Sequence, residues 1–120
     1  MLPAVNRLTA SADFSAVVRD GVRIRRGVLV VHQLTAFAGP GQPRVGLVVG
    51  RAVGGSVVRH RVARRLRAQL AARLERLAPE SALVVRALPG ACDVPSAQLG
   101  RELDSAFERL ALRGAAVGRS

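Results

Sequence analysis

The chain has no lysine, no tryptophan and no tyrosine, only three phenylalanines and one cysteine. With Phe14, Phe37 and Phe107 as its only aromatics, a 120-residue chain must build its core from Val, Leu and Ala. Cys92 has no second cysteine to pair with, which excludes an internal disulfide. With His32 and His60 as the only histidines, no metal-ligand spacing forms around it. Cys92 therefore reads as a small apolar packing residue. No apolar run approaches the roughly 18 residues of a membrane span. Arg7, Asp13 and Arg19 interrupt any signal-peptide pattern at the N-terminus. The expected setting is the cytoplasm.

Acid is also scarce. Eight Asp and Glu face 19 basic residues, all arginine, for a formal net charge of +11 and a pI near 12.0. GC-rich codon usage accounts for arginine in place of lysine; the excess itself points to polyanionic partners. Nucleic acid is the first candidate and an anionic membrane surface the second. The apolar share of 49% excludes a wholly disordered chain, and the length suits one domain.

Along the chain, residues 1–10 read as an extended arm. Ser11 to Arg19 reads as a short helix stopped at Asp20-Gly21. The β-branched run from Val22 to Leu34 predicts strand, interleaved with Arg23, Arg25 and Arg26. AGPGQP, residues 38–43, reads as a turn, so Arg44 to Val49 is expected to pair with the preceding strand as an antiparallel hairpin. Poor alternation in VGLVV suggests cover on both faces. A Gly-rich hinge leads to a long helix reaching about Leu77, with Ser56 as its N-cap. SALVVRAL, residues 81–88, predicts a strand, and Pro89 to Pro95 a loop. Leu99, Leu103, Phe107 and Leu110 place a last helix over Ser96 to Arg113. This element order is α+β with a mixed sheet.

GGSVVRHRVARRLRAQLAARL, residues 54–74, carries both apolar and cationic positions. At about 100° per residue, Val62, Leu66, Leu70, Leu74 and Leu77 form one stripe. His60, Arg61, Arg64, Arg65 and Arg67 fall on the other side, with Arg73 and Arg76 flanking the stripe. An ordinary solvated face mixes signs, yet no acidic residue occurs between Arg51 and Leu74. Neighbouring like charges repel, and cations in the first turn oppose the helix dipole. Such a face makes sense against an external anion. Arginine's planar fork suits phosphate. Membrane docking is disfavoured because the stripe lacks Trp and Phe and the strands need cover.

RVGLVVGRAVGGSVVRHRVARRLR, residues 44–67, resembles the signature of the bacterial ribonuclease P protein subunit. There an R-V-G-x-V-V-S-K strand leads into V-G-N-A-V-x-R-N-R-x-K-R-x-x-R. Arg44, Val45, Gly46, Val48, Val49, Val53, Gly54, Val57, Arg59, Arg61, Arg64 and Arg67 match. The N-terminal block is similar as well, with Leu2, Pro3, Asn6, Arg7, Leu8, Asp13, Phe14, Arg19 and Gly21 in register. Departures stand at Gly50, Gly55, Ser56, His60 and Ala63.

The resemblance implies a mixed, mostly antiparallel four-stranded sheet packed with three helices. It further implies a ribosomal-protein-like two-layer sandwich and a left-handed βαβ crossover. Residues 1–113 would form a single RNA-binding domain and 114–120 a disordered tail. The family joins a catalytic RNA that cleaves precursor tRNA with Mg²⁺, bound mainly through the RNA. By the same resemblance, Arg51, Arg59, His60, Arg61, Arg64, Arg65 and Arg67 would bind catalytic RNA. Phe14, Val17, Arg19, Arg23 and Arg25 would line the 5′ leader of precursor tRNA, with one protein copy per RNA. For Phe14 core packing is an equal reading, and for Arg23 and Arg25 a solvated strand face is the alternative.

No protein acid or base is expected. Asp13, Asp20, Asp93 and Asp104 are isolated and read as caps or surface charges, and His32 as a satisfied core histidine. A non-catalytic RNA-binding structural or ribosome-associated protein is the alternative function. A peripheral membrane or nucleoid-binding protein is the third.

Overall fold

The computed structural model describes residues 2–35 and 42–118, with side chains through Arg113. Helix α1 spans Ser11–Asp20, strand β1 Val22–Arg26, β2 Leu29–Leu34 and β3 Arg44–Val49. Helix α2 spans Ser56–Ala71, strand β4 Ala82–Ala87 and helix α3 Ser96–Gly118. Short 3-10 turns lie at Ala4–Asn6, Leu74–Arg76 and Ala91–Asp93.

The run expected as one strand from Val22 to Leu34 is a hairpin. Arg26 pairs with Leu29, and Gly27 takes a φ of +57° that a side chain would resist. The Val28 N–H donates to Glu102 Oε1 at 3.0 Å, tying the turn to α3.

Strand order is β1-β2-β4-β3. The β1–β2 and β2–β4 pairs are antiparallel, and β3–β4 is parallel. The expected β2–β3 hairpin does not form, because β4 lies between the two strands. The reason is burial: Ala82, Leu83, Val84 and Val85 are each no more than 1% exposed, so this strand must sit centrally with both faces covered. The turn predicted at 38–43 lies outside the described residues over 38–41. The β3–α2–β4 segment is thus a crossover between neighbouring parallel strands.

Alternation along the strands splits the core. Ile24, Leu29, Val31, Val45, Leu83 and Val85 join one cluster with Val62, Leu66 and Leu70 of α2 and Leu99, Leu103 and Phe107 of α3. Leu8, Val17, Ala82 and Val84 form a second cluster, with Phe14 and Leu34 packed against it. Helices α2 and α3 therefore share one face, and α1 covers part of the other.

Helix α2 ends at Ala71 rather than near Leu77. Arg73 turns back to donate to the Gln69 carbonyl at 2.9 Å and to Asp104 Oδ1 of α3 at 2.7 Å, and the chain tightens into a 3-10 turn. Leu77 still reaches the core, though outside the helix. At the other end Gly55, not Ser56, is the N-cap, with no side-chain cap bond. Helix α3 passes Arg113, and its backbone stays helical to Gly118 where a disordered tail was expected; residues 119–120 lie outside the described residues.

Candidate nucleic-acid interface

The amphipathic split of α2 holds in three dimensions. Val62, Leu66 and Leu70 are fully buried, while His60, Arg61, Arg64 and Arg67 are exposed and Arg59 and Arg65 half-buried. Arg51 is exposed in the turn before the helix. Among the described residues the ion pairs are Arg19–Asp20, Arg73–Asp104 and Arg76–Asp104. Arg73 and Arg76 thus share one carboxylate within the fold, with Arg76 also 5.5 Å over the Phe107 ring. Asp104, read from sequence as isolated, is the carboxylate that joins the segment after α2 to α3. Both guanidinium groups, the Arg73 hydrogen bond foremost, hold its carboxyl below the usual carboxylate range. Among the described residues the cations of α2 from Arg59 to Arg67 form no ion pair, and His60, Arg61, Arg64 and Arg67 stand exposed and uncompensated.

A second basic surface lies on the α1 side of the sheet. Register aligns Arg23, His32, Val84 and Gly46 across the four strands, and Arg25, Val30, Arg86 and Val48 in the adjacent row. Helix α1 covers the first row. A Cβ on Gly46 would overlap the Phe14 ring, so glycine is what lets that ring lie against β3. The second row is more open, with Arg25 and Arg86 exposed and Val48 36% exposed. Phe14, Ser15, Val18, Arg19 and Val48 line a largely apolar hollow of about 350 Å³ at its edge.

Of the residues expected here, Phe14, Arg19, Arg23 and Arg25 do gather on this face. Val17 does not: it is 0% exposed in the α1 core cluster, so its side chain has no surface to offer. Arg19 is exposed but pairs with Asp20 at 3.1 Å, which raises the arginine's pKa and lowers the aspartate's through that hydrogen bond. Arg86 was not anticipated. Its signal was a single charge inside an apolar strand, at the parity of Ala82 and Val84. His32 is buried at 6% exposure, yet its Nδ1 has no hydrogen-bond partner among the described residues, so it is not the satisfied core histidine expected. Burial first, then the charges of Arg23 and Arg86, push its imidazole toward the neutral form.

A family model described as Ribonuclease P matches residues 2–111. The chain belongs to that family. It is 50% identical over 109 residues to the "Ribonuclease P protein component" of Mycobacterium sp. (strain KMS), covering 91% of this chain and 92% of that protein. The protein of the same description from Streptomyces griseus is 50% identical over 122 residues, covering 96% and 99%. Two solved structures share the fold at 20% identity. The Staphylococcus aureus RNase P protein superposes with a TM-score of 0.77 over 86% of this chain and 93% of that one. The Thermotoga maritima RNase P protein gives 0.74 over 86% and 96%.

The α+β fold expected from the ribonuclease P resemblance, with three helices on a four-stranded mixed sheet, is therefore the one observed. Among the described residues no helix is long and apolar enough to cross a membrane. No three His, Cys, Asp or Glu side chains gather into a metal cage among them either.

Proposed function

We propose that this chain is the protein component of a ribonuclease P endoribonuclease, holding the catalytic RNA with the α2 face and the single-stranded 5′ leader of precursor tRNA on the α1 side of the sheet. Arg51, Arg59, His60, Arg61, Arg64, Arg65 and Arg67 are the RNA-facing set. Phe14, Arg19, Arg23 and Arg25, joined by Arg86 and Val48, form the leader-facing set. The observation that carries this reading is the uncompensated cationic face of α2, fixed by a helix whose opposite side is fully buried.

The contribution is electrostatic and positional. Each arginine that meets a phosphate releases a condensed counterion and lowers the cost of bringing RNA strands together. The sheet-face arginines act alike on the leader, while Phe14 and Val48 supply apolar contact for bases without selecting sequence. Mg²⁺ is held mainly by the RNA, which carries the bond-breaking step, and one protein serves one RNA in the cytoplasm. No observation favours the ribosome-associated alternative.

The test mixes the protein, a bacterial ribonuclease P RNA and a precursor tRNA at low Mg²⁺. Leader removal should be strongly stimulated. RNA binding with no stimulation contradicts the proposal.

A further inference from the structure

Strand β3 is an edge strand, and its outer side is only partly covered. The N-terminal arm reaches it at Val45, through the Arg7–Val45 bridge and a 2.9 Å hydrogen bond from the Leu8 N–H to the Val45 carbonyl. Backbone groups alternate in direction along a strand, so Leu47 and Val49 turn their N–H and C=O groups to that same outer side. Among the described residues no strand pairs with them. Free edge groups of this kind are ready to bond another chain.

Between this edge and the first half of α2 lies a groove of about 260 Å³. Leu47, Val49 and Ala63 give it an apolar floor, and Ser56, Arg59 and His60 a polar wall, with Arg67 at its end. Arg59 Nε is shielded from solvent and has no hydrogen-bond acceptor among the described residues. A guanidinium N–H held dry and unpaired is costly, and an anion is its natural partner. No carboxylate occurs in the sequence from Gly21 to Leu74, so this stretch supplies none of its own.

We propose that the groove takes one unstacked nucleotide of the catalytic RNA, with the base on Leu47, Val49 and Ala63 and the phosphate on Arg59, His60 and Arg67. This rests on the reading that α2 faces that RNA. A duplex held only by its phosphates needs no apolar hollow, whereas RNA is commonly read through bases splayed out of the stack. The free N–H and C=O groups of Leu47 and Val49 offer a donor and acceptor row to a base edge. The leader is not the source, because Leu47 and Val49 pack toward α2 and α3, while Gly46 and Val48 face the α1 side.

The inference separates shape from charge, and so does its test. Ala63→Leu fills the floor, and Ser56→Leu blocks the wall from an exposed position that leaves the core untouched. Catalytic-RNA affinity is measured for both variants and the wild type across a salt series, with circular dichroism melts to establish folding. Each variant should bind about tenfold or more weakly, with the salt slope shallower by no more than about one unit, the one phosphate that the groove holds. If Ala63→Leu fails to fold, Ser56→Leu decides alone. Wild-type affinity in the folded variants overturns the groove. A slope flatter by clearly more than one unit overturns base insertion in favour of a wider loss of phosphate contacts. Failure of the wild type to bind the RNA overturns the reading of α2, and the groove with it.

Discussion

His32 stands mid-strand in β2, 6% exposed, with Arg23 and Arg86 as its charged neighbours. Its folded-state pKa lies below the unfolded value of about 6.5, so the unfolded chain takes up the proton more readily. The stability it contributes is complete above that value and is lost as pH falls through it, by at most about 1.4 kcal/mol per pH unit for one proton. The thermal midpoint should therefore drop between pH 7.5 and 5.5, and His32→Gln should remove most of that drop. An equal drop in both proteins contradicts this account of the site. The depressed carboxylates of Asp20 and Asp104 act at lower pH, with their stabilisation lost below the ordinary carboxylate range, outside the interval from pH 7.5 to 5.5. Phe14 and Gly46 make a second residue-scale case. Gly46→Ala should cost about 1–3 kcal/mol by crowding the ring, and much less in a Phe14→Ala background. Urea unfolding of the four proteins in that cycle measures the coupling.

At the scale of elements, α2 was the most legible part of the chain. Its apolar stripe and its acid-free face are local patterns, and both survive in the fold. Leu66→Ala should destabilise the protein by about 2–5 kcal/mol, while Arg64→Gln should stay within about 0.5 kcal/mol. Denaturant midpoints that moved alike would deny the division of faces. What the sequence did not reveal was non-local. The end of α2 depends on Arg73 meeting Asp104, 31 residues away. The strand order depends on β4 being the most deeply buried strand, which no nearest-neighbour pairing rule anticipates. Val17 entered the leader set through the family resemblance, and only the packing of α1 on the sheet shows that it faces inward. Arg86 was hidden for the opposite reason, as one charge in a run that otherwise reads as core.

On the scale of the whole molecule, a charge of +11 is distributed with a purpose that composition alone does not disclose. Asp104 takes up two arginines just past the end of α2 and ties that segment to α3, while His60, Arg61, Arg64 and Arg67 within α2 stand exposed. The other basic cluster lies across the sheet on the α1 side, so two RNA segments can be held on separate surfaces of one small domain. The central claim is that the α2 face binds catalytic RNA through phosphate contacts. It is tested most directly by the salt dependence of that affinity for the wild type and for Arg61→Gln/Arg64→Gln, two exposed positions outside the groove. The account predicts weaker binding, with the log–log slope shallower by roughly one unit per lost contact and the melting curve unchanged. Equal affinity and equal slope in a folded variant would contradict it.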